Sequence, residues 1–356
     1  LKKAVIILVI MVLSGAATKK VNAQITHFSQ FFSTPMTMAP SFAGYTEGSR
    51  LSLNYRDQWP KIPGTFVSFA AAGDHYFRRA KSGVGVLLFR DQAGTGKLSL
   101  TEAGLQYAYR IKLGEKRGYK NNEWFIRPGI QLKFSQRALN FGDLTFIDQL
   151  LANGNTTGGS TTQPVPAESV GYLDLTGSAL AYNETYWGGF TMDHLLTPNQ
   201  SLTAGEANVV MKVSVFGGAK IPLKNKQSRM QRVRYGREQE SVNFVGHYRY
   251  QGGTDQLDLG AYWERDPLVL GAWFRGIPIK GFAAGSGDNY ENIDALIALV
   301  GVKLKNDVSI GYSFDVTVSR LLNHTGGSHE ISLVYKFNKN GGNLRDMHTI
   351  IPCPAF

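Results

Sequence analysis

From Asp307 to Val318 apolar and small or polar residues alternate: Val308, Ile310, Tyr312, Phe314, Val316 and Val318 interleave with Ser309, Gly311, Ser313, Asp315 and Thr317. A two-residue period is the signature of a β-strand with one greasy and one wettable face. Ser328 to Phe337 repeats it, with Ile331, Leu333, Tyr335 and Phe337 opposite Glu330, Ser332 and Lys336, although Val334 interrupts the polar face. Twelve earlier runs carry the same pattern: Arg50–Asp57, Thr65–His75, Ser82–Asp91, Leu98–Leu113, Glu123–Arg137, Val170–Tyr182, Thr185–His194, Glu206–Pro222, Glu240–Tyr250, Gln256–Arg265, Leu268–Ile277 and Ile293–Lys303. Gly, Asn, Asp and Pro separate them, and the total of about fourteen is even, as in bacterial outer-membrane barrels.

Charges gather on one face. Tyr107, Tyr109 and Ile111 alternate with Gln106, Ala108 and Arg110, and Leu257, Leu259, Ala261 and Trp263 with Gln256, Asp258, Gly260 and Glu264. In a soluble sandwich the polar face points to water; in a membrane barrel it lines the lumen. The barrel reading makes Arg127, Asp258, Glu264, Arg275 and Asp315 candidate lumen-lining residues, paired or wetted. Alternation alone does not choose between the two.

The first residues add a compartment. Lys2 and Lys3 precede an apolar run from Ala4 to Leu13, followed by Ser14, Gly15 and Ala16, the layout of a secretory signal peptide. Val21 and Ala23 place cleavage near Ala23/Gln24, and the run is too short to span a bilayer. The expected division is a signal peptide (1–23), an N-terminal arm (24–48), an outer-membrane β-barrel (49–337) and a C-terminal periplasmic tail (338–356). The arm, rich in Phe, Met and Pro, holds neither period; it either plugs the lumen, where Gly301 and Gly311 leave room, or packs beneath the barrel.

Forty Gly, 16 Tyr, 20 Phe and only 18% charged residues suit many strands, tight turns and aromatic girdles. Removing the four leader lysines from a formal charge of +11 leaves +7, which favours lipid head groups or acidic proteins over nucleic acid as partners of a secreted chain. Cys353 alone excludes an intrachain disulfide and a multi-cysteine metal site.

A periplasmic N-terminus puts the long connections Ala138–Ser169, Leu195–Gly205, Pro278–Asn292 and Arg320–Gly327 outside the cell. One long connection falls inside and is basic: Lys224, Lys226, Arg229, Arg232, Arg234 and Arg237 are candidate contacts for an acidic periplasmic partner, or a solvated rim facing lipid phosphates. Candidate chemistry is sparse. Asp193 and His194 are neighbours on a strand and should face opposite sides; Ser328, His329 and Glu330 fail as a triad for the same reason. The histidines lack zinc spacing, Asp288, Asn289 and Glu291 read as a turn rather than a calcium loop, and GSGDN lacks the lysine of a phosphate loop. No catalytic residue, cofactor or metal is expected.

Seven pieces in order along the chain, HFSQFFSTPMTMAPSFAG, LNYRDQWP, YRYQGGTDQLDLGAYW, IALVGVKL, GYSFDVTVS, GGSHEISLVYKF and the terminal CPAF, together resemble the PorP/SprF family. The resemblance implies an outer-membrane barrel tied to the type IX secretion system. Its partners would be periplasmic components of that machinery and a secreted cargo protein, such as an adhesin, whose C-terminal domain it helps to export or hold at the cell surface. The family pattern does not extend to the basic connection or to Ala138–Ser169. A passive porin-like channel and a soluble secreted sandwich are the competing readings.

Overall fold

The computed structural model describes residues 28–46, 48–113, 123–150, 168–203, 205–223, 240–283, 289–304, 307–318, 325–337 and 351. The leader, most of the basic connection and most of the tail lie outside them. Among the described residues no helix is long and apolar enough to cross a membrane.

The strands are β1 (Ser49–Gln58), β2 (Thr65–Phe77), β3 (Ser82–Gly94), β4 (Leu98–Tyr109), β5 (Ile111–Leu113), β6 (Trp124–Ala138), β7 (Ser169–Tyr182) and β8 (Tyr186–Asp193). They continue as β9 (Lys212–Pro222), β10 (Ser241–Gln251), β11 (Thr254–Arg265), β12 (Leu268–Ala283), β13 (Asn289–Lys303), β14 (Val308–Thr317) and β15 (Ser328–Phe337). Each pairs antiparallel with its sequence neighbour, and β1 pairs with β15 over ten residue pairs, Ser49 opposite Phe337 through Gln58 opposite Ser328. Because β4 and β5 both pair with β6, they form one interrupted stave, and the sheet closes as fourteen staves without an edge. Closure is what lets a sheet stand in hydrocarbon, where an unpaired backbone group has no water to turn to.

The interruption has a local cause. Arg110 falls between β4 and β5, opposite the stretch of β6 that contains Pro128, while β6 stays continuously paired to β7 through Pro128 and Ala179. Proline has no N–H to donate, so the ladder breaks on one side only.

The faces are inverted relative to a soluble protein. Leu105 is 64% exposed, Leu132 and Phe134 51%, and Leu173 58%, whereas Gln106, Asp174 and Ser135 on the same strands are at most 2% exposed. Apolar outside and polar inside is the pattern a bilayer selects. Val334, the exception on its strand, is 1% exposed because it joins an apolar cluster inside the barrel with Phe42, Tyr182, Trp187, Phe216, Tyr262 and Trp273.

Three sequence expectations need correction. Pro278–Asn292 is not a loop: β12 and β13 run on as a hairpin to Ala283 and Asn289, with register irregularities after Arg275 and Ile277. Asn289 and Glu291 therefore belong to a strand rather than a turn, Asp288 lying outside the described residues. The run from Glu206 begins its strand only at Lys212.

Candidate functional site: a plugged lumen

Residues 28–46 fill the barrel interior. The amino end of this arm lies in the half of the barrel where β1 ends and β15 begins, and there Ser29 meets Asp315 and Glu330. Its other end reaches the near rim: the Gly44 N–H donates to Asp74, and the Gly48 carbonyl accepts from Tyr76 before β1 begins. Prolines at the first positions of two short 3-10 turns, Pro35–Thr37 and Pro40–Phe42, keep the segment compact and irregular. The wall makes room with small residues. A Cβ on Gly129 would meet the Pro40 carbonyl carbon at 2.6 Å, and one on Gly83 would overlap the Ala43 carbonyl.

The amino end is held by a ladder of alternating charge. Arg249 bonds Asp258 at 2.5 Å, Asp258 bonds Arg275 at 3.0 Å, and Arg275 bonds Asp315 at 3.0 Å. Arg56 then joins Asp315 at 2.8 Å to Glu330 at 3.3 Å. All but Arg249 are at most 2% exposed. Three cations and three anions neutralise one another, the condition under which ions persist away from water. The arm completes the ladder: Ser29 Oγ donates to Asp315 and accepts from Arg56 and Arg275, while Glu330 accepts the backbone N–H groups of Ser29 and Gln30. The Gln30 side chain reaches Ser313, Ser332 and the Glu330 carbonyl, and Ser33 and Thr34 both donate to Asn54.

The middle of the arm is gripped by rings. Phe31 packs edge-on to Trp273 and His247, Phe32 stacks on Tyr262, and Phe42 lies against Tyr45, Trp187 and Phe216. At the near end Arg127 donates to the carbonyls of Ser41, Ala43 and Gly44, and Arg50, bonded to Asp74, lies over the Tyr45 ring at 4.4 Å.

Of the lumen candidates, Asp258, Arg275 and Asp315 thus come together in one network. Arg127 works at the opposite end of the arm, and Glu264 near the same rim is paired with Lys220 and Lys303. Lys224, Lys226, Arg229, Arg232, Arg234 and Arg237 lie outside the described residues. Arg56, Arg249 and Glu330 are not among the lumen candidates, although Glu330 stands on the polar face of its strand; the signal for each is a charged side chain at an inward position, with Arg249's partner on the adjoining strand and those of Arg56 far along the chain.

Asp193 and His194 do not diverge as expected. His194 has left the strand with φ +62°, so both reach the interior: Asp193 bonds Lys212 at 2.8 Å, and His194 Nδ1 lies 2.6 Å from Asp174, which also meets Lys133. His329 faces outward against Tyr312 and Phe314 while Glu330 faces inward, so the two share no site. Among the described residues no group of three or more His, Cys, Asp or Glu side chains is arranged to hold a metal ion.

A closed antiparallel barrel with an apolar exterior and a lumen occupied by its own arm defines an outer-membrane β-barrel protein. The sequence matches the type IX secretion system membrane proteins PorP/SprF over residues 20–335, and the chain belongs to that family. No curated protein matches it. Among solved structures it is similar to the Acinetobacter baumannii outer membrane protein Omp33 (8% identity, 83% of this chain and 100% of that one, TM-score 0.40). It is also similar to the Pseudomonas putida toluene transporter TodX (9% identity, 85% and 92%, TM-score 0.40) and to a Pseudomonas aeruginosa FadL homologue (12% identity, 82% and 90%, TM-score 0.40).

Proposed function

We propose that this barrel is a non-enzymatic component of type IX secretion that assists the export or surface attachment of a cargo protein, an adhesin or similar, through the cargo's C-terminal domain. The carrying observation is the arm: ionic ladder, aromatic grip and Arg127 together hold a folded segment of the chain where a passive channel needs water. With the lumen occupied, work falls to the two mouths. The far mouth, framed by the long connections, takes the cargo. The near mouth, where Pro222 and Ser241 bracket the basic connection, meets periplasmic machinery through Lys224, Lys226, Arg229, Arg232, Arg234 and Arg237. The division into a cleaved leader at 1–23, an arm at 24–48, a barrel at 49–337 and a periplasmic tail at 338–356 fits this arrangement.

The test is co-purification from detergent-solubilised outer membranes, read by mass spectrometry. Recovery of a large secreted protein with periplasmic secretion components supports the role. Steady single-channel conductance in planar bilayers without any such partner would replace it with the passive-channel reading.

A further inference from the structure

Phe31 sits between two rings that offer more than it uses. It lies edge-on to His247 at 5.6 Å and to Trp273 at 5.0 Å. His247 and Trp273 are 4% and 3% exposed, yet among the described residues both imidazole nitrogens and the indole Nε1 have no hydrogen-bond partner. The amide of Asn243, further down the inner face of β10, is equally bare. Buried polar atoms without partners are exceptions in folded proteins. Here three of them belong to the two rings flanking one arm residue, and a phenyl ring can satisfy none of them. In the ionic ladder single atoms such as Arg56 Nε and Asp315 Oδ1 also lack a partner, but there the same side chains bond through their other atoms.

We propose that the His247–Trp273 cage is a peptide-recognition site which the arm occupies in cis, and that its ligand in trans is a peptide segment carrying tyrosine in the place of Phe31, followed by a second aromatic residue. This rests on the reading that the chain handles an exported protein, and it names the feature of that protein that is recognised. A phenol meets two of these three atoms: its oxygen accepts from the Trp273 N–H, and its O–H donates to a ring nitrogen of His247. The next ring takes the place of Phe32 on Tyr262. Main-chain N–H groups ahead of the pair bind Glu330 as those of Ser29 and Gln30 do, a contact that any sequence can make. The arm is then an occupant with an intrinsic mismatch at the cage, which a better-matched segment displaces.

Two measurements on the full-length chain in detergent test this. In cis, Phe31→Tyr should slow cleavage of the arm by a broad-specificity protease several-fold; unchanged or faster cleavage overturns the assignment. In trans, a fluorescent nonapeptide copying residues 28–36 but with tyrosine for Phe31 is added to the chain bearing Phe31→Ala and Phe32→Ala. It should bind on the order of ten-fold tighter than the unaltered nonapeptide. His247→Leu, which removes polar atoms without emptying the site, should erase that preference while the barrel keeps its folded electrophoretic mobility. Equal binding of the two peptides, or a preference that survives His247→Leu, overturns the cage. Because only purified barrel and peptide are used, loss of the preference with cargo co-purification intact removes the cage alone; the preference without any cargo removes the secretion reading alone.

Discussion

Glu330, on the last strand, accepts the backbone N–H groups of Ser29 at 2.7 Å and Gln30 at 2.9 Å, residues 301 and 300 positions earlier in the chain. The same carboxylate meets Arg56 and Asn54 on the first strand. Since β1 and β15 form the seam that joins the two ends of the sheet, the arm fastens that seam from within.

Removing this carboxylate should therefore loosen the arm and the closure together. In Glu330→Ala, two backbone N–H groups lose their acceptor in buried space and Arg56 keeps, besides its bond to Ser29 Oγ, one ion pair, to Asp315. Breaking a buried ion pair from one side costs about 3–5 kcal/mol. The expected outcome is a lower temperature for loss of the compact band in unheated gels, with chymotrypsin now cutting at Phe31, Phe32 or Phe42. An arm that stays resistant would show that the aromatic grip alone suffices.

Overpacking the wall probes the other end of the arm. Gly129→Val places atoms where Pro40 and Ser41 run, so either the arm or β6 must move. Forcing extra carbons into a packed interior costs about 1–3 kcal/mol. The barrel wall, fixed by its ladders to β4 and β7, is the stiffer partner, and the arm should yield. Planar-bilayer recordings should then show conductance that the unaltered protein lacks. If the variant is as silent as the parent, the arm is not what blocks the lumen.

The outer wall makes a separate prediction. Leu105, 64% exposed in the body of β4, faces hydrocarbon, and Leu105→Arg should destabilise the barrel by about 2–4 kcal/mol. Tyr186→Arg, at the start of β8 near the rim, should cost about 0–1 kcal/mol. Equal unfolding midpoints for the two in lipid vesicles would contradict a bilayer around the strands.

How much of this is readable in the sequence depends on the range of the cause. Alternation is local, so every stave from Arg50 to Phe337 is visible, but the pattern alone does not say which face is outside: that Leu105 is exposed and Gln106 buried is seen only in the closed barrel. The break at Arg110 is less visible because its cause, Pro128, lies on a neighbouring strand. Pro278 and the glycines after it imitate a loop, while register irregularities carry the β12–β13 hairpin past them. The ladder is visible only as single charges at inward positions. Arg56 finds Asp315 across 259 residues, a pairing set by barrel closure and not by spacing. The arm carries no period at all, and its place follows from the small residues and ring-lined pockets of strands far along the chain.

The basic connection between β9 and β10 yields the last prediction. Pro222 and Ser241 are paired at the rim where β1 starts and β15 ends, so the connection between them leaves and rejoins the sheet at that rim. The sequence of that connection carries six cations, Lys224, Lys226, Arg229, Arg232, Arg234 and Arg237, against the acids Glu238 and Glu240. A solvated rim would tolerate charge reversal, since exposed charges contribute little to stability. A docking surface would not, because attraction to an acidic partner acts over a Debye length of about 10 Å at 0.1 M salt and shrinks as salt rises. Arg229→Glu, Arg232→Glu and Arg234→Glu combined should leave folded mobility unchanged but lower recovery of the periplasmic partner several-fold at low salt, with the difference narrowing at high salt. Undiminished recovery at low salt would return these side chains to the role of a hydrated rim and move the machinery contact to another part of the near mouth.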